Sequence, residues 1–225
     1  MSFIFNLVNH DLDFLHAHWV RLASRPASTL PLIESIFNSI VENYSAEDRA
    51  YHNLSHIQSL LIRGETLMDK IKNPDAVYFA IWFHDVIYDT KRSDNEEKSA
   101  EFAVKALAGI GVPEQTIARV REMILATKDH RGADLSWDMK AFLDLDTSIL
   151  GAPEEIYQKY SMAIRNEYSW VPDILYRKGR IKVLNDFLER EHIYHTEEIR
   201  AEYELQARNN IAVEIKALSD VLRTL

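Results

Sequence analysis

Apolar residues recur at spacings of three and four along almost the whole chain, and breakers are scarce: 6 glycines and 6 prolines interrupt 225 residues. That period marks one face of a helix, whereas a strand alternates every second residue, and no stretch does so convincingly. The chain is thereby restricted to an all-α fold. Leu12, Leu15, Trp19 and Leu22 predict a first helix over residues 11–24. Pro31 suits the first turn of a second that reaches about Tyr44. Ile57, Leu60, Leu61, Met68 and Ile71 line a third beginning near Asn53, and Pro74 opens a fourth running to about Tyr88. The polar run YDTKRSDNEEKS reads as a surface loop entering a fifth helix near Asp94, which extends to about Ile110. Pro113 starts a sixth that ends near His130, and RGADLSW is the loop after it. Four more are predicted at about 138–150, 154–170, 173–190 and 196–222.

No internal repeat or low-complexity linker divides the chain, and 26.1 kDa suits one domain with one core. The last helix, with Ile199, Tyr203, Ile211, Ile215, Leu218 and Leu222, can pack on its own core or on a second subunit, which leaves a homodimer open.

Charge narrows the partners. Lys+Arg number 26 against 35 Asp+Glu, a net charge of -9, so no basic field exists to hold a nucleic-acid polymer or an anionic membrane surface. There is no cysteine, which excludes disulfides and thiolate sites and fits a reducing compartment. Any metal must therefore sit on histidines and carboxylates. The opening MSFIFNLVNHDLDF lacks a basic start and a small-residue cleavage site, and no apolar run approaches the roughly 18 residues of a membrane span. A cytoplasmic location is expected.

Three stretches carry chemistry. AIWFHDVIYD embeds His84 and Asp85 in an apolar run, where an unpartnered polar pair is costly. YHNLSH places His52 and His56 four residues apart, on one face if both lie on or at the start of a helix. FLDLDTSILG offers Asp144 and Asp146 among apolar neighbours; two apart on a helix, they point about 200° apart and compete for one ligand position. Imidazole nitrogen with carboxylate oxygen and no sulfur suits Mn, Fe, Co, Ni, Zn or Mg. Four such ligands leave coordination positions for water, and a bound ion both acidifies that water to a hydroxide nucleophile and polarises a phosphoryl oxygen. Hydrolysis of a phosphate ester is the natural reaction.

His56, the pair His84–Asp85 and Asp146 resemble the H...HD...D series of the HD superfamily of metal-dependent phosphohydrolases. YHNLSH resembles the YHNxxH segment of its cyclic-nucleotide phosphodiesterase branch, and NEEKSA, IRNEY and ARNN resemble further segments of an uncharacterised bacterial group of predicted HD phosphohydrolases. The resemblance implies a helical HD domain over residues 1–225, with the metal-site helices within about 51–150 and flanking helices in 1–50 and 151–225 completing the core. It implies one or two divalent ions on His56, His84, Asp85 and Asp146, the last favoured over Asp144 because DLDTSILG aligns best that way. His52 becomes the general acid, Asp85 shares in catalysis, and the substrate is a nucleotide or other small phosphorylated metabolite. Cyclic-nucleotide specificity does not transfer, since Tyr88 and Asp89 stand where that branch continues with histidine and its glutamine-and-aromatic clamp has no counterpart.

Further candidates for lining the site or orienting its ligands are Asn53, Tyr88, Asp89, Glu96, Lys128, His130, Asp144 and Arg165. Blander readings stand beside them. Glu96 and Glu97 suit a solvated helix start, and Arg165 and Arg180 suit salt bridges as readily as phosphate forks. His10, His16, His18, His192 and His195 read as structural or surface, and Trp19, Trp82, Trp137 and Trp170 as packing. Two rival functions remain: a di-iron oxygenase on the same fold, for which His130 is the persuasive extra histidine, and a binding module with a vestigial site.

Overall fold

The computed structural model describes residues 10–131 and 136–223; the opening MSFIFNLVN and most of the RGADLSW loop lie outside the described residues. The described residues form ten α-helices and no strand.

Helices α1 (Leu12–Ala23), α2 (Leu30–Tyr44) and α3 (Leu54–Glu65) surround α4 (Pro74–Phe83) from one side. Asp11 and Asn53 cap α1 and α3 by accepting from the amides of Phe14 and Ser55, and Asn73 does the same for Ala76 ahead of Pro74. Every residue of α4 from Ala76 to Phe83 is buried, the mark of a core helix rather than an amphipathic one. Trp82 and Trp19 fill the space between α4 and α1–α2, and each indole N–H is satisfied, by His18 Nδ1 (3.3 Å) and the Ile33 carbonyl (3.0 Å).

The other side of α4 is covered by α5 (Asn95–Gly109), α6 (Glu114–Ala126) and α7 (Trp137–Thr147). A 3-10 turn, Ser148–Gly151, then leads to α8 (Glu154–Glu167), α9 (Asp173–Leu188) and the long α10 (Glu197–Arg223). Gly151 is where α10 crosses: a Cβ there would lie 2.5 Å from Tyr203 Cβ. Asn210 of α10 donates to the carbonyls of Leu150 and Ala152, both at 2.8 Å. With Ile199, Tyr203 and Ile211 buried, α10 covers its own core. Among the described residues no helix is long and apolar enough to cross a membrane.

Several boundaries differ from the sequence expectation, among them the end of the sixth helix, at Ala126 and not near His130. Helix α4 stops at Phe83, so His84 caps it and Asp85 to Tyr88 form a turn instead of a last helical turn. Arg49 holds that turn by donating to the Asp85 and Val86 carbonyls, which an α-helix would claim for its own amides. Helix α3 ends at Glu65, so Met68 and Ile71 lie beyond it. His52 precedes α3 and is not on it, because Asn53 is the capping residue.

Candidate metal centre

Four segments deliver one side chain or more to a buried point. His56 comes from the first turn of α3, His84 from the end of α4, Asp85 from the turn after it, and Asp146 from the last turn of α7. His56 Nε2 and His84 Nε2 face each other at 3.2 Å. Asp146 Oδ1 lies 3.2 Å from the first and 3.4 Å from the second, and Asp85 Oδ2 is 3.2 Å from His84 Nε2. Donors about 2.1 Å from a common ion stand about 3.0–3.4 Å apart. His56, His84 and Asp146 thus form a buried group that could hold a metal ion, with Asp85 beside it.

The tautomer supports this use. His84 Nδ1 lies 3.0 Å from the Ile81 carbonyl, so Nδ1 carries the proton and the Nε2 lone pair of the neutral ring points into the cluster. Two such lone pairs facing each other repel unless a proton or a cation lies between them. Burial disfavours charge on His84, but Asp85 and Asp146 outweigh it and hold its pKa well above the ordinary 6.5. Burial likewise opposes ionised Asp146, yet His84, His130 and His56 hold its pKa well below 3.8. For His56 burial prevails over Asp146, and its pKa is lowered. The field that draws a proton to His84 draws a cation equally, and the C-terminal end of α4 adds its partial negative charge.

Beside the cluster stands a second group that the H...HD...D pattern does not include. Glu167, at the end of α8, is buried and accepts four hydrogen bonds: the amides of Tyr51 (2.7 Å) and His52 (2.9 Å) on Oε1, and His52 Nδ1 (2.7 Å) and the Tyr88 hydroxyl (2.9 Å) on Oε2. His52 is thereby turned so that Nε2 faces Asp85 Oδ2 at 3.9 Å, with the Tyr88 ring 4.3 Å from its own. Burial opposes charge on His52, but Glu167 overcomes it and raises the pKa above 6.5. Glu167 belongs to IRNEY, the one sequence signal that pointed to it.

Arg49 was also missed, and no motif marks it. Its guanidinium donates to the carbonyls of His52 (3.1 Å), Asp85 (2.6 Å) and Val86 (3.0 Å), joining the His52 turn to the His84–Asp85 turn. Tyr44 adds a hydroxyl that accepts from the Asp85 amide (3.2 Å).

His130 joins the cluster from the far side, its Nε2 2.8 Å from Asp146 Oδ2. Its backbone is left-handed, φ 51°, and its carbonyl accepts from Arg190 Nη1 at 3.1 Å, which helps hold this uncommon conformation. Glu96 and Lys128 line a cavity beside the cluster, Lys128 3.8 Å from Glu96 and paired with Glu97.

Other candidates lie elsewhere. Asp144 is buried facing the start of α10, where it accepts from the amides of His195 (2.8 Å) and Thr196 (2.6 Å) and from the Thr196 hydroxyl (2.6 Å). Arg165 donates to the carbonyls of Tyr168 and Val171 and stacks on Tyr176, so it braces the α8–α9 turn and does not reach the cluster. Asn53 spends its carbonyl capping α3, and Asp89 shapes the loop before α5 through Asn95 and Lys91.

A cavity of about 1150 Å³ opens beside the cluster, with His52, Asp85, His130 and Asp146 at its charged end. The chain matches no protein-family model, no curated protein and no solved structure.

Proposed function

We propose that the chain is a metal-dependent hydrolase of a small phosphate ester, of the HD phosphohydrolase kind. The observation that carries the reading is the convergence of His56 Nε2, His84 Nε2, Asp146 Oδ1 and Asp85 Oδ2 at 3.2–3.4 Å between neighbours, at the edge of a cavity. His56, His84, Asp85 and Asp146 would hold one divalent ion of the Mn, Fe, Co, Ni, Zn or Mg type, and the pair His130–Asp146 Oδ2 is where a second would gain ligands. A bound divalent ion supplies a Lewis acid for a phosphoryl oxygen and lowers the pKa of water.

The protein's own groups then divide the proton traffic. Glu167 takes the Nδ1 proton of His52 in a hydrogen bond, which leaves Nε2 to face the cavity. In the imidazolium form, favoured by Glu167, Nε2 carries the proton that the departing alcohol oxygen needs when the P–O bond breaks. Water supplies the oxygen that joins phosphorus and the proton that returns to His52. The half-buried carboxylates Asp85 and Asp146 stay ionised beside the imidazoles.

Elemental analysis of protein purified without chelator tests this, together with a phosphatase screen over nucleotides and phosphorylated metabolites supplemented with Mn, Co, Ni, Mg or Zn. The expected result is near-stoichiometric metal and metal-dependent phosphate release, both lost in a His84→Ala Asp85→Ala variant. Absence of metal overturns the reading. The third histidine on Asp146 favours one alternative, a di-iron oxygenase: two irons and no phosphate release would establish it instead.

A further inference from the structure

The cavity at the cluster is larger than a phosphate needs, and its walls differ. At about 1150 Å³ it exceeds the span of about 300–1,000 Å³ usual for small-molecule pockets. Part of its lining comes from α9 and the turn before it, where Trp170, Leu175 and Val183 line the cavity with half or more of their surface exposed. Leu175, Gly179 and Val183 follow one another at intervals of four on α9, so they form one strip on one helix face.

Gly179 is unexplained by the fold. Its φ is not positive, unlike that of Gly111, and a Cβ there would meet nothing within 4 Å. Glycine inside a helix destabilises it relative to alanine. What the missing side chain leaves is open space in the cavity between Leu175 and Val183.

Two more features mark this wall as a seat. The Trp170 indole is held in place, since Nε1 donates to Thr90 Oγ1 (2.7 Å), which donates to the Glu167 carbonyl (3.3 Å). The ring is thereby tied to the residue that orients His52. Tyr176 lines the same cavity, and its buried hydroxyl has no hydrogen-bond partner among the described residues. The wall is poor in available charge: Lys128 is engaged by Glu96 and Glu97, Arg131 and Arg190 by Asp186, and Arg180 by Glu214. Lys182, the remaining cation lining the cavity among the described residues, is exposed.

We propose that this wall seats the leaving group, so that the substrate is a phosphate ester of an alcohol carrying an apolar, ring-sized body, and that Gly179 is the position that admits it. The inference rests on the phosphoester reading above. It follows from continuity: the charged cluster takes the one anionic group, and among the described residues Trp170, Leu175 and Val183 give the same cavity an exposed apolar surface for the rest of the molecule.

Phenylphosphonate and methylphosphonate test it, because they share an anionic head, resist hydrolysis and differ by the ring. Their binding to manganese-loaded protein is measured by isothermal titration calorimetry. In the wild type phenylphosphonate is expected to bind about ten-fold tighter or more. Gly179→Leu should bring the ratio near one while leaving metal binding and methylphosphonate affinity unchanged, and Gly179→Ala should melt about 2 °C higher than wild type, showing that α9 tolerates the side chain. Equal affinities in the wild type, with methylphosphonate bound, overturn this inference and leave the phosphoester reading standing. If neither phosphonate binds the metal-loaded protein, the phosphoester reading fails and takes the inference with it. A dimer in sedimentation velocity that Val183→Asp disperses also overturns it, because the wall is then a subunit interface.

Discussion

Replacing Glu167 with glutamine changes one buried atom and isolates the work of a charge. The side chain is 0% exposed and accepts four hydrogen bonds, two from backbone amides and two from His52 Nδ1 and Tyr88. In Glu167→Gln the amide oxygen can keep the Tyr51 and His52 amides, but the amide nitrogen then faces His52 Nδ1. Two donors cannot share that contact, so the His52 proton must move from Nδ1 to Nε2. A hydrogen bond to a charged group contributes about 1.5–3 kcal/mol against about 0.5–1.5 for a neutral one. Over the two bonds on Oε2, from His52 and Tyr88, the loss is about 1–3 kcal/mol, or roughly 2–12 °C in melting temperature for a chain of this size.

The pH dependence has a definite sign. Because His52 is raised above 6.5, its contribution is present below 6.5 and lost as pH rises through its folded value. Glu167 is lowered below 4.5, so its contribution is present above 4.5 and lost as pH falls through its folded value. Wild type and variant should differ most between pH 4.5 and 6.5 and converge on either side. Calorimetry of metal-free protein across pH 4–9 reads the difference, and histidine nitrogen NMR reads the tautomer. A variant that melts within 1 °C of wild type at pH 6 with the His52 proton still on Nδ1 would refute the reasoning.

Other substitutions probe separate parts of the molecule. Arg49→Lys leaves a point charge where a planar fork bridged three carbonyls, and manganese affinity by titration calorimetry should fall about ten-fold; unchanged affinity would show that the two turns hold themselves. Glu214→Ala strands the buried Arg180, which Glu214 meets at 2.9 and 3.2 Å, and should cost about 3–5 kcal/mol in urea unfolding. His18, lowered to about 4 by burial and by Arg21, penalises the fold as pH drops below 6.5. Relative to His18→Leu, the wild type should lose about 3 kcal/mol between pH 7 and pH 4, and parallel stability curves for the two would contradict the assignment.

Helical class was legible because period and breaker content are local properties. Absence of cysteine likewise limited any metal to nitrogen and oxygen donors before a single contact was known. The order His56, His84–Asp85, Asp146 was readable too, and these side chains converge because α3, α4 and α7 pack against one another. What the chain could not disclose is absolute orientation. Spacing says that Asp144 and Asp146 point apart, but only the packing of α10 against α7 sends Asp144 to the amides of His195 and Thr196 and leaves Asp146 facing the imidazoles. The ending of α4 at Phe83 depends on Arg49, which competes for the next carbonyls from 36 and 37 positions away. Glu167 meets His52 across 115 positions, and Arg165 in the same helix turns to the following loop instead. Such choices rest on where helices lie relative to one another, a property of the whole core that no local pattern contains.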